Sequence, residues 1–355
     1  MRLLTVVAVL VTSAPAWAAT LHVPADYSTI QAGIDAAAVG DTVSVAPGIY
    51  SECSQSAGGE LHCILLRSGV LVRGATGNPA DVVLDASAGD RVARAWSVDD
   101  AALEGLTLTG ASSFGGLLVQ WSSIRISDCA LTGNSGGAAY LGESETRFER
   151  CVVADNEQGG LSFFGAPIAR DPGQRVVIDC SFFRNEGNAV LAAGLIDLEI
   201  VGCLFAHNFG GPSILADSAF PTLTRCTLVA NDSGSDSGVV RLNFGGTIQS
   251  TVIAFNAGRA IFCTGQPVAI SCTDLYENSE GNWASCIADQ FGLNGNLFRD
   301  PLFCGLDDDN YTLGEDSPLL ATNNDCQVLI GAFGQGCGPL SVDETSWGSL
   351  KASFR

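Results

Sequence analysis

Charged side chains recur at fixed distances ahead of a repeating cysteine. Arg125 and Asp128 precede Cys129; Arg147, Glu149 and Arg150 precede Cys151; Asp179 precedes Cys180; Glu199 stands four before Cys203; Arg225 precedes Cys226. Guanidinium and carboxylate groups in such a row suit two chemistries. They hydrogen-bond the hydroxyls of a sugar chain, or they pair with one another at about 0.2–1 kcal/mol per exposed pair. The column directly before the cysteines reads Asp128, Arg150, Asp179, Gly202, Arg225, and its alternating signs favour pairing. Asp99 and Asp100 form a further acidic pair, and two carboxylates at the right separation can act as acid and base. No His or Lys lies near them in sequence, so a solvated turn is the simpler expectation. Asp307, Asp308 and Asp309 offer oxygen ligands for Ca2+ in one short loop, without the glycine and distal glutamate of an EF-hand. An ordinary loop is favoured there, and Ca2+ is the one cofactor the chain suggests. The histidines are His22, His62 and His207, and the single lysine is Lys351.

What positions these groups is a repeat. The pattern apolar-x-x-Cys-x-apolar-x-x-Asn recurs as Ile126/Cys129/Leu131/Asn134, Phe148/Cys151/Val153/Asn156, Val177/Cys180/Phe182/Asn185, Ile200/Cys203/Phe205/Asn208 and Leu223/Cys226/Leu228/Asn231. A degenerate copy precedes these, and another follows with Ile248, Thr251, Ile253 and Asn256. The cysteines lie 22, 29, 23 and 23 residues apart, the period of a solenoid built from one supersecondary unit per turn. A leucine-rich repeat shares the pattern but spends the second half of each unit on a helical segment. Here that half reads Gly136-Gly137-Ala138-Ala139-Tyr140-Leu141 or Gly159-Gly160-Leu161-Ser162-Phe163-Phe164, glycine turns leading into strand formers. The chain is therefore expected to be all-β, a right-handed parallel β-helix whose coils stack about 4.8 Å apart.

The same pattern separates inside from outside. Apolar residues three before and two after each cysteine, with Cys129, Cys151, Cys180, Cys203 and Cys226 themselves, should form interior columns; the one-per-coil spacing does not suit zinc. Asn134, Asn156, Asn185, Asn208, Asn231 and Asn256 should form a structural ladder, since asparagine tolerates tight bends and bonds along a stack.

Met1-Arg2, the apolar run from Leu3 to about Val11 and Ala16-Trp17-Ala18 make residues 1–18 read as a secretory signal peptide. No later run approaches the roughly 18 apolar residues of a membrane span. Thirteen cysteines suit an oxidising compartment. Setting the interior column aside leaves eight, for which Cys53–Cys63, Cys272–Cys286 and Cys326–Cys337 are the expected bridges. Ser28 is expected to cap a short helix over about 28–39 that covers the first coil, followed by repeat coils over about 42–285, a C-terminal cap over about 286–338 and a tail over 339–355. The tail carries Trp347, Leu350 and Phe354 at helical spacing. Residues 19–338 thus read as one domain, expected to be monomeric.

Tyr27-Ser28-Thr29-Ile30-Gln31-Ala32-Gly33-Ile34-Asp35-Ala36-Ala37, with Gly40-Asp41-Thr42-Val43 and Pro47-Gly48-Ile49-Tyr50, resembles the entry to bacterial right-handed β-helix repeat proteins of the pectin-lyase-like superfamily. Asp300-Pro301-Leu302-Phe303, Tyr311-Thr312-Leu313, Asp316-Ser317-Pro318 and Ile330-Gly331-Ala332-Phe333 resemble the closing segment of such secreted proteins. The resemblance implies fold and export; the superfamily spans lyases, hydrolases, esterases, epimerases and adhesins. The Gly-His-Gly segment of polygalacturonase-like hydrolases is absent from the sequence, as is a Lys base beside a carboxylate cluster. The formal charge of −21 disfavours nucleic acid and other polyanions as partners. The leading expectation is a secreted or cell-surface, non-catalytic protein that binds a polysaccharide or envelope glycan or builds envelope structure. A polysaccharide-active enzyme using the Arg/Asp/Glu face and an adhesin are the alternatives.

Overall fold

The computed structural model describes residues 18–55, 59–112, 115–166, 173–234 and 237–337. The expected signal peptide, all but its residue 18, and the expected tail over 339–355 lie outside the described residues. Three long parallel sheets wrap one interior, with one strand of each sheet per coil. The first sheet has eleven strands, from Thr20–Val23 to Val268–Ser271, and holds the segment before each cysteine. The second, with ten strands from Gly48–Tyr50 to Asp274–Tyr276, holds the segment between Cys and Asn. The third, also of ten strands, runs from Ser54–Gln55 to Ile261–Cys263 and holds the segment after the glycine turn. All pairings within these sheets are parallel except the one between Ser54–Gln55 and Leu61–Leu65.

The interior follows the pattern. Ile126, Phe148, Val177, Ile200 and Leu223 stack on one side, Leu131, Val153, Phe182, Phe205 and Leu228 on another, all fully buried. Phe182 and Phe205 stack with centroids 4.6 Å apart.

Each coil has up to three sharp bends, and one device recurs at all three. A residue in the left-handed region is followed by one whose side chain donates to the carbonyl two residues back and accepts from the equivalent N–H one coil earlier. At the bend before the second sheet the left-handed residues are Asp128, Arg150, Asp179, Gly202 and Arg225. The thiols after them donate to Ser127, Glu149, Ile178, Val201 and Thr224 carbonyls. Further along, Thr251 and Thr273 continue the column with the same bond. At the bend after the second sheet, Gly133, Asp155, Arg184, His207 and Ala230 are left-handed and the asparagines follow. Asn208, for instance, donates to Phe182 O at 2.9 Å and to Asn231 Oδ1 at 3.0 Å, and its own Oδ1 accepts from Asn185 N and Nδ2. At the third bend Trp121 and Glu143 are left-handed, and Ser122 and Ser144 repeat the bond at 2.8 and 2.6 Å. The cysteine column is thus a hydrogen-bonding ladder as well as an apolar filler.

All five ladder thiols are free and buried, and burial pushes the thiols of Cys129, Cys151, Cys180 and Cys203 well above their usual range. A thiol held protonated and away from solvent is inert. Titration of the native protein with an aromatic disulfide reagent is therefore expected to label none of the five, and denaturation without reductant to expose all of them.

Both ends depart from the expectation. The N-terminal helix is Ile30–Ala36, capped by Thr29, whose Oγ1 accepts from Ala32 N at 3.2 Å; Ser28 is not the cap, because Thr29 is the residue whose extended backbone aims its hydroxyl at the open N–H. The first strand of the first sheet is Thr20–Val23, parallel to Thr42–Val45.

The C-terminal segment does more than close the last coil. It folds back along the outer side of the second sheet, where Tyr311 covers a patch including Val152, Phe183 and Leu204, and Leu313, Leu319 and Ile330 cover Val252 and Ala254. Gly331 N and Ala332 N bond to Ser250 O and Thr227 Oγ1.

Four disulfides fasten these ends. Cys53 is bonded to Cys63. Cys286 joins Cys263, not Cys272, because the turn Ser285–Gln290 lies against the last strand of the third sheet. Cys326 joins Cys272, not Cys337, and Cys337 joins Cys304, as the returning segment brings them within 6.0 and 5.6 Å between Cα atoms.

Candidate functional site

On the first sheet, outward positions alternate with buried ones. Arg125 pairs in register with Arg147, which is followed by Val176, Glu199 and Thr222 on successive coils. The parallel outward column is Ser127, Glu149, Ile178, Val201 and Thr224. The row of charges is therefore confined to the early coils, and Glu199 stands two coils beyond Arg147 with Val176 between them.

Arg125, Glu145, Arg147, Asp100, Ser123 and Gln174 come together around a trough of about 290 Å³. Thr146 also lines it, and its buried Oγ1 has no hydrogen-bond partner among the described residues. Arg147 is paired with Glu149 on its own strand. The side chains of Arg125 and Glu145 make no hydrogen bond or ion pair with any described residue. Of the acidic pair, Asp100 lines this trough and Asp99 is exposed, with their N–H groups bonded to Ser123 and Ser68 hydroxyls.

The residues directly before the cysteines do not sit on the strand face. Asp128, Arg150, Asp179 and Arg225 occupy the left-handed bend, which is why Gly202 interrupts the column. Arg150 grips Asp128 with two bonds of 2.7 Å and also lies 3.6 Å from Glu149. Those hydrogen bonds, donated to the Asp128 carboxylate, hold the Arg150 guanidinium above the usual arginine range. The Asp179 carboxylate lies where a Cβ on Gly202 would stand, and Arg225 is exposed one coil further on. Asp128, Asp179 and Arg225 therefore do not converge on one point.

The other titratable groups lie elsewhere. His62 is buried on the third sheet, and burial lowers its pKa; His22 is exposed on the first strand. His207 Nε2 lies 2.6 Å from Asp309 Oδ1, which also accepts from the Tyr311 hydroxyl at 2.8 Å. Burial, helped by that bond, pushes the Tyr311 phenol upward. Asp309 is thus taken up by the docking of the C-terminal segment, and among the described residues Asp307, Asp308 and Asp309 form no ligand cluster for Ca2+.

Sequence reasoning missed three features. Glu145 and Gln174 belong to the trough, signalled by their places on or beside strands that carry Arg147 and Val176. Asp155 and Arg184, each directly before a ladder asparagine, form a second two-bond pair at 2.7 and 2.8 Å. Trp96 with Trp121 and Tyr140 with Phe164 form two ring pairs on and beside the third sheet.

Residues 115–273 match the family model described as right-handed β-helix region. No curated protein sequence matches the chain at a significant level. Among solved structures, the pectate lyase Pel9A aligns over 90% of this chain and 96% of its own, at 14% identity and a TM-score of 0.53. An alginate lyase from Paenibacillus sp. str. FPU-7 aligns over 74% of this chain and 97% of its own, at 11% identity and a TM-score of 0.45. At such identities the likeness concerns the fold. Repeat, three-sheet architecture and comparison agree: the chain folds as a right-handed parallel β-helix, a fold it shares with the pectate lyase Pel9A.

Proposed function

We propose that the protein is an exported, non-catalytic glycan-binding β-helix whose trough on the first sheet holds a stretch of polysaccharide. The observation that carries this is the pair Arg125 and Glu145, a donor and an acceptor that line a sugar-sized depression and have no side-chain partner among the described residues. Hydroxyl groups both give and take hydrogen bonds, so a glycan satisfies both side chains, whereas a polyanion would meet Glu145, Asp100 and the overall charge of −21. The non-catalytic part rests on pairing. The Asp128 carboxylate has both oxygens on Arg150, and Glu149 lies between Arg147 and Arg150. A carboxylate so engaged is poorly placed to abstract or deliver a proton. Four disulfides, with no described helix long and apolar enough to cross a membrane, suit an oxidising compartment outside the cytoplasm. Polysaccharide lyases share the fold, which adds a prior for a glycan partner and none for a reaction.

Retention of the purified protein on immobilised glycans measures this directly. Arg125→Ala is expected to weaken retention about tenfold, the loss of one charged hydrogen bond, while Arg225→Ala leaves it unchanged. Equal effects of the two variants would remove the trough from the account.

A further inference from the structure

The third sheet carries an aromatic strip in an otherwise acidic molecule. Trp96 and Trp121 meet edge to face with centroids 4.8 Å apart, and the Arg94 guanidinium lies 4.6 Å over Trp96. Two coils on, Tyr140 and Phe164 stack at 4.7 Å with their planes 21° apart. Trp96, Trp121 and Tyr140 are 44%, 50% and 43% exposed, high values for large rings. Between the two pairs lies Gly142, whose missing side chain leaves room for the Gln120 amide to fold over it. That amide has no partner among the described residues. A trough of about 450 Å³ opens beside Tyr140 and Phe164 and exposes Gln158 and Ser162.

The occupant is limited by charge, size and shape. The strands Arg91–Trp96, Leu117–Gln120, Ala139–Gly142 and Leu161–Phe164 contain no Asp or Glu, although the chain has 38 of them. The carboxylates next to these strands in sequence, Asp90 and Glu143, lie outside them, and Glu60 is paired with Arg91 and Arg94. From the Trp96 position to its register partner Phe164 is three coil steps, about 14 Å, and two outward side chains span about 7 Å. That strip is small beside the ~800 Å² per partner of an ordinary protein interface. It matches a short run of pyranose rings, whose apolar C–H faces lie on aromatic rings while their hydroxyl edges meet amides and hydroxyls. An acidic sugar finds no unpaired cation here, because Arg91, which lines the trough, and Arg94 both lie against Glu60.

We infer that the third sheet holds a second glycan-binding surface, specific for neutral polysaccharide, in which Trp96/Trp121 and Tyr140/Phe164 stack sugar faces and Gln120 bonds a hydroxyl between them. This surface is separate from the Arg125 trough and does not depend on it.

Affinity electrophoresis of the full mature protein in gels containing hydroxyethylcellulose, xyloglucan, galactomannan or polygalacturonate tests the inference. Retardation is expected on at least one neutral polymer that Arg125→Ala leaves retarded, and on that polymer to fall about tenfold in Tyr140→Ala and in Trp121→Ala. Tryptophan emission of the unmodified protein should also shift on adding the soluble polymer that retards it, a readout that survives if a variant fails to fold. Absence of retardation on all three neutral polymers, or retardation untouched by both ring variants, overturns the inference. So does a dimer in sedimentation that Tyr140→Ala dissociates, since a second copy would then be the occupant. Loss of binding in Arg125→Ala alone would sink this surface while leaving the trough in place; retention of no glycan at all would sink both.

Discussion

Asn208→Ala is expected to lower the stability of the β-helix by about 3–5 kcal/mol, the range in which large single-site effects fall. The side chain is fully buried and serves three coils at once. Its loss strands the Asn185 N–H, takes one donor from the Phe182 carbonyl and takes from Asn185 and Asn231 one side-chain partner each. Each unsatisfied buried group costs about 1–3 kcal/mol. Urea unfolding followed by far-UV circular dichroism measures the change, and the exposed Asn310→Ala serves as the comparison. Since neighbouring coils share the ladder, the loss should also broaden the transition, as expected when a repeat array loses coupling between units.

The second large effect depends on pH. Asp274 is wholly buried at the last coil of the second sheet, where burial raises its pKa to about 7 despite the hydrogen bond its Oδ1 accepts from Arg299 N; the nearby Asp300 charge adds to the rise. Its Oδ2 has no hydrogen-bond partner among the described residues. For an acid raised in this direction the folded state holds its proton while the unfolded chain, at the ordinary 3.8, releases it. Stability from this group is therefore whole below about pH 4, falls as pH rises to about 7, and above that the full penalty stands, on the order of 4 kcal/mol. Asp274→Asn keeps the bond to Arg299 and removes the ionisation. The variant is expected to match the wild type near pH 4 and to melt at a higher temperature at pH 8, with the gap opening between those values. Equal pH profiles would show that the carboxylate is solvated or paired in solution.

How far the sequence discloses this molecule depends on which physical signal each feature leaves. The interior is legible because Ile126, Phe148, Val177, Ile200 and Leu223 recur at one phase, and burial requires the same chemistry in every coil. The bends are half legible. The asparagine column is visible as a repeat, whereas the left-handed residue before each ladder position varies freely among Asp128, Arg150, Asp179 and Arg225, because its side chain points to solvent and only its backbone is constrained. That freedom made a bend look like a row of surface ligands. The folding back of the C-terminal segment left a trace in the second-sheet strands, where Val152, Ala154, Leu204 and Ala206 are buried on the outward side. Strands apolar on both faces need a cover. Of the disulfides, Cys53–Cys63 was legible because it closes a local excursion, whereas the C-terminal partners were not, since Cys326 meets Cys272 across 54 residues of chain. The aromatic strip hid for a similar reason. Trp121 and Tyr140 belong to different coils and different positions of the repeat, and become neighbours of Trp96 and Phe164 only once the register is fixed.

The central claim is that this β-helix binds glycan without transforming it. Incubating the purified mature protein with a panel of neutral and acidic polysaccharides, while recording both retention on the polymer and release of new chain ends, unsaturated products or ester groups, tests it most directly. The account predicts retention without products, weakened by Arg125→Ala. Product release that disappears on Arg150→Ala or Asp179→Ala would contradict it and make the outer edge of the first sheet an active site.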